Sequence, residues 1–137
     1  MPDAVIHIDK TLSDFAHMIL NLTQHQATVE QITLGVVEPE VTDKKTICSL
    51  LTFEEVPSKG ELESRAKALV AFVTKMGCCK AMVGGAPYFM SYLERALKEK
   101  GYTPVYAFSK RESVDQVQQD GSIRKVAVFR HAGWVEC

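Results

Sequence analysis

Apolar positions along the chain change period several times, and each change marks an element. From His17 the run "HMILNLT" is apolar over strand length and stops at the polar group Thr23-Gln24-His25-Gln26, which predicts a first core strand. "ATVEQITLGVV" then predicts a short helix, because Thr28 stands three residues before Gln31 in a capping-box pattern. The segment "EPEVTDKK", residues 38–45, reads as the longest loop. "TICSLLTF", residues 46–53, is β-branched and apolar without strict alternation, as expected of a strand covered on both faces, and is read as the second strand.

Ser58 and Glu61 form another capping-box pair. Leu62, Ala66, Leu69, Val70 and Val73 recur behind them at helical spacing until Gly77 supplies the stop. "CCKAMVGG" is the third strand, and the helix after it places Phe89, Leu93, Ala96 and Leu97 on one face and ends at Gly101. "TPVYAFS", residues 103–109, is the fourth strand. Asp120-Gly121 lies between two strand-like runs of the tail, the strongest short hairpin signal. Strand alternating with helix is the rhythm of a parallel sheet with crossovers. The pattern predicts one Rossmann-like α/β domain, its mostly parallel sheet flanked by helices and closed by a C-terminal antiparallel β-hairpin. Residues 1–15 read as an N-terminal extension in which "AVIHI" can be a short strand, and residues 114–137 as hairpin and C-terminal segment.

Composition narrows the function classes. At 137 residues the chain suits one domain, and with a net charge of −1 it has no whole-molecule attraction to duplex nucleic acid or a membrane surface. Anion recognition must therefore come from a local cluster. No apolar run has the length a bilayer needs, and the start "MPDAVIHID" lacks the basic and apolar segments of a secretory signal, so a cytoplasmic protein is expected. Cys48, Cys78 and Cys79 read as free thiols serving as small buried hydrophobes, without the second Cys or His pair that a zinc site requires. No metal or cofactor is expected.

In a parallel sheet all strands end on one edge, where helix N-termini gather and ligands bind. Three polar or glycine-rich segments follow the predicted strands. The first holds Asn21, Thr23 and His25. Asn21 and Thr23 can point into the crevice or bond the neighbouring loop, and an imidazole in a loop can act as a general base or do nothing of note. The second is Gly84-Gly85-Ala86-Pro87-Tyr88. Its glycines permit a close backbone approach, and Ala86 at the cap position cannot accept from the first-turn amides, leaving them to an anion or to water. Tyr88 can stack on a base or pack on the sheet. The third is Ser109-Lys110-Arg111, whose cations suit phosphate, unless Ser109 and Glu112 merely cap a turn and the cations are solvated. No GxGxxG, Walker loop, GxSxG or HExxH is present.

Together "LNLTQH", "VGGAPY" and "AFSKRES" give the chain a layout that resembles small bacterial Rossmann-like proteins, CARF-type domains and the ring nucleases related to them. That resemblance implies a homodimer binding a cyclic oligoadenylate. It further implies metal-independent cleavage, with Thr23 and His25 near the scissile group, the Gly84-Gly85 turn on phosphate, and Ser109, Lys110 and Arg111 closing the site. No catalytic motif matches residue for residue, so a nucleotide or other phosphorylated ligand is the expected partner. A non-enzymatic dimerisation module, using the hairpin and "HAGWV", is the alternative.

Overall fold

The computed structural model describes residues 17–137, and the expectations for residues 1–15 lie outside them. Strand β1 (Ile19–Leu22) is buried at all four positions. Helix α1 (Val29–Thr33) starts on the expected capping box: the Thr28 hydroxyl accepts from the Gln31 amide, and the Gln31 side chain accepts from the Thr28 amide. Gly35, at φ 104°, turns the chain into the two-residue strand β2 (Val36–Val37).

The next segment corrects the sequence reading. Helix α2 (Val41–Leu50) occupies most of what was expected to be a loop and then a strand. A strand over residues 46–53 would turn Ile47, Ser49 and Leu51 to the same side, burying a serine with two core residues. In the helix Ile47 and Leu51 lie one turn apart and are both buried, while Thr46 and Ser49 stay in solvent. The i, i+4 spacing of those two residues was the signal, outweighed by the local β-branched composition. The strand beside β1 is Val36–Val37 instead.

Helix α3 (Lys59–Met76) is capped by Ser58, whose hydroxyl accepts from the Glu61 amide, and it ends at Gly77 with φ 71°. The Glu61 side chain pairs with Arg65 at 2.8 Å. All five residues placed on its inner face by spacing are buried. Strand β3 (Lys80–Val83) leads into helix α4 (Pro87–Glu99), which buries Phe89, Met90, Leu93 and Leu97. Of the three internal cysteines, Cys78 is buried as expected, Cys48 is half-buried on α2, and Cys79 is exposed.

Strands β4 (Thr103–Val117) and β5 (Ile123–Glu136) complete a sheet of order β2-β1-β3-β4-β5. Pairing is parallel from β2 to β4 and antiparallel between β4 and β5. The molecule is thus a mixed α/β domain whose sheet is parallel only in part. The hairpin is present with Asp120-Gly121 at its turn, where Gly121 has φ 84° and the Asp120 carboxylate accepts from the Ser122 amide at 2.9 Å. Its first strand is longer than expected. It runs past Ser109 to Val117, because each residue of "KRESVDQV" finds a partner on β5 despite a polarity that reads as loop.

The main core joins α2, α3 and α4 to Leu20, Leu22, Ala81 and Val83 on one sheet face. Ile19, Val36, Met82 and Val105 form a smaller cluster on the other, with Ala27 and Trp134 against it.

Candidate functional site

Strands β1 and β3 are parallel neighbours in register, Leu22 beside Val83, so the polar segment after β1 and the glycine pair after β3 emerge side by side. They line a cavity of about 420 Å3 that also touches Thr28 and Gln31 of the α1 region and Tyr106 and Ala107 of β4. Two of the three expected segments therefore meet at the C-terminal edge.

Loop 23–26 is held by Asn21. This side chain is fully buried, and each side of its amide makes two bonds: Nδ2 donates to the His25 carbonyl and to Glu38 Oε1, both at 2.8 Å, while Oδ1 accepts from the Thr23 amide at 2.9 Å and the Thr23 hydroxyl at 2.6 Å. Of the two roles open to Asn21, reaching into the crevice or bonding the neighbouring loop, its bonds fill the second. The Gln24 side chain donates to Thr52 at 2.7 Å, tying the loop to the end of α2. Lys44, also on α2, donates to the Thr23 and His25 carbonyls at 2.8 and 2.9 Å.

Beneath the loop Glu38 binds the Ala27 amide at 2.6 Å and lies 3.5 Å from Lys44. Burial resists ionisation of this carboxyl and is the largest single influence on it. The Ala27 amide, Asn21 and Lys44 together outweigh it, holding Glu38 below its ordinary pKa. The Lys44 ammonium thus has a carboxylate partner where it sits. Sequence reading missed Glu38 and Lys44 because both fell in an assumed loop, and nothing local shows that the chain returns beneath residues 23–26.

The glycine turn is close to that loop. A Cβ on Gly84 would stand 3.6 Å from Thr23 Cγ2, and one on Gly85, at φ 156°, would stand 3.3 Å from Met90 Cε. Ala86 caps α4 without a side-chain bond, as its chemistry requires. The free amides are fewer than the sequence suggested: Pro87 has none, and Phe89 donates to the Ala86 carbonyl at 2.9 Å. Among the described residues the Gly85, Ala86 and Tyr88 amides have no acceptor. The Tyr88 ring packs edge-on to Phe53, centroids 5.5 Å apart, and lines a different hollow.

The third wall differs from expectation. Ser109, Lys110 and Arg111 are exposed ribbon residues opposite His131, Arg130 and Phe129, beyond the bulge between Phe108 and Ser109. Tyr106 and Ala107 line the crevice in their place. The Tyr106 hydroxyl donates to Glu94 at 2.9 Å, and burial, reinforced by that carboxylate, pushes it well above the usual phenol pKa. Arg130 pairs with Glu112 at 2.8 Å and lies 3.9 Å from Glu30, while the His131 amide donates to Glu30 at 3.1 Å. These contacts tie the ribbon root to α1. The His131 ring lies against Trp134, centroids 4.4 Å apart.

His25 is exposed at the crevice wall. Among the described residues no three His, Cys, Asp or Glu side chains gather closely enough to hold a metal ion, and no helix is long and apolar enough to cross a membrane.

A family model described as the uncharacterized protein MJ1673 family matches residues 17–135, nearly all of the described chain, and the protein belongs to that family. No curated protein and no solved structure matches it.

Proposed function

We propose that this member of the MJ1673 family binds a nucleotide or another phosphorylated small molecule in the crevice between loop 23–26 and the Gly84-Gly85 turn. The observation that carries the reading is the meeting of those two segments. A loop held from behind by Asn21, Glu38 and Lys44 faces a backbone without Cβ atoms, beside the open amides of Gly85 and Ala86. Such amides at a helix start favour an anion, and a prepared loop lowers the ordering cost of binding. His25 is the side chain on this wall suited to a phosphate oxygen or a proton. The Thr23 hydroxyl already donates to Asn21, which favours binding over cleavage of a cyclic oligonucleotide. Lys110 and Arg111 stand outside the crevice and take no part in the first contact.

Thermal shift with inorganic phosphate, adenosine monophosphate and a cyclic oligoadenylate tests this. A true ligand at about a hundredfold over Kd raises the stability by about 2.7 kcal/mol, which reads as several degrees in Tm. Gly84→Leu should abolish the response by filling the crevice, and His25→Ala should weaken it. If none of the three anionic ligands raises Tm, or Gly84→Leu responds as the wild type does, the reading is lost.

A second reading, self-association through the hairpin, is favoured by the exposure of Phe129 and Val117 on the ribbon. It does not depend on the crevice.

A further inference from the structure

Beyond the bulge the β4–β5 ribbon continues for nine residue pairs, from Ser109 opposite His131 to Val117 opposite Ile123. At the rise of a strand this is an arm about 30 Å long. A lone two-stranded hairpin is marginal in water and gains from being covered. Alternation puts Arg111, Ser113, Asp115 and Val117 on the same face as Phe129, Ala127, Lys125 and Ile123. On that face Phe129, Val117 and Ile123 are 74, 72 and 66% exposed. Arg111 and Lys125 make no ion pair among the described residues, and with Asp115 opposite Lys125 in the register the face still carries a net positive charge.

The body of the domain carries a surface of the opposite character. Between the end of α2 and the start of α3 and α4 lies a hollow of about 570 Å3, walled by Phe53, Val56, Pro57 and Tyr88. Val56 is 97% exposed and lines the same hollow as the Phe53 and Tyr88 rings. Glu54 and Glu55 rim the hollow, exposed and without an ion pair among the described residues. The nearby Arg65 cannot serve them. It is committed to Glu61 and to three backbone carbonyls, with its guanidinium 4.4 Å from the centre of the Phe53 ring.

We propose that these surfaces are the two halves of a homodimer contact: the arm of each copy lies in the hollow of the other, Phe129 against Val56 and Tyr88, Arg111 and Lys125 against Glu54 and Glu55. This deepens the self-association reading above and rests on it. The occupant is a second copy because one chain supplies both members of the match, an apolar face with free cations and an apolar hollow with free carboxylates. A two-fold axis uses both pairs at once and leaves no arm unpaired. It also doubles the contact toward the roughly 800 Å² per partner that stable interfaces bury.

Light scattering coupled to gel filtration at about 50 μM tests it, with a dimer expected for the wild type. Phe129→Asp and Val56→Asp should each weaken the dimer at least about thirtyfold and give monomers. Circular dichroism should stay unchanged, since both side chains are exposed in the single chain, while Tm should fall only by the stabilisation that dimerisation supplies. Arg111→Glu/Lys125→Glu and Glu54→Lys/Glu55→Lys should each be monomeric alone and should form a mixed dimer when combined. A monomeric wild type overturns self-association itself. A dimer that survives both Phe129→Asp and Val56→Asp overturns the surfaces while leaving self-association standing.

Discussion

In the body of the domain β1 is buried at every position and α3 and α4 close over one sheet face, whereas beyond Ser109 the two-stranded ribbon has no buried residue, only the half-buried Val114, Gln118, Val126, Val128 and His131. The same chain is held together in two ways. In the body, apolar area removed from water dominates, and every buried polar group has to be matched, as Asn21 is. In the ribbon the backbone ladder and cross-strand pairs do the holding, so its side chains are released from packing. A surface freed in this way can be spent on a partner, while the crevice lies at the junction of the two regimes, where Tyr106 still packs inward and Ala107 begins the exposed run.

Substitutions sharpen the contrast, beginning with the largest effect. Leu93→Ala, at a fully buried α4 position, should cost about 2–5 kcal/mol in denaturant unfolding. Asn21→Ala removes four bonds at once and leaves the Glu38 side chain and the Thr23 and His25 backbone groups short of a partner, for a loss of about 2–3 kcal/mol. The same variant should lose the ligand response of the crevice. Ser58→Ala removes the α3 cap at a cost of about 1 kcal/mol.

Acid titration reaches the crevice through Glu38. Its folded pKa is lowered from 4.5, so its contribution is fully present above that value and is lost as pH falls through the folded pKa. Stability measured from neutral pH down through the acid range should therefore decline below about pH 4.5. Glu38→Gln should flatten that decline, and an unchanged slope would show that the Lys44 and Asn21 contacts do not hold the carboxylate. The smallest effect is expected on the ribbon, where Phe129→Ser should change the stability of the isolated chain by less than about 0.5 kcal/mol. A loss comparable with that of Leu93→Ala would remove the distinction between body and arm.

Much of the body was legible in one dimension because its signals are local. The Thr28 and Ser58 caps, the Gly77 stop, the helical spacing of Leu62 to Val73 and the Asp120-Gly121 turn all act within a few residues of themselves. Residues 46–53 misled because composition favours a strand while the burial of Ile47 and Leu51 demands a helix, and which side is inside depends on α3. The crevice was half legible. Parallel strands must end together, so loop 23–26 and Gly84-Gly85 could be paired from the alternation of elements alone. Lys110 and Arg111 were placed there wrongly, since polarity cannot tell a loop from a strand that answers to a partner more than ten residues away.

The sequence by itself determined where α1, α3 and α4 begin and stop, which faces of α3 and α4 are apolar, and that a hairpin turns at Asp120-Gly121. Each of these follows from backbone and side-chain preferences over one or two turns. Only the tertiary structure decided that Glu38 and Lys44 lie beneath loop 23–26, that Tyr106 and Ala107 replace the expected basic wall, and that the cations project on an arm. Those outcomes depend on which distant segments pair and on how far a ladder continues, and both are set by contacts between residues that carry no mark of one another along the chain.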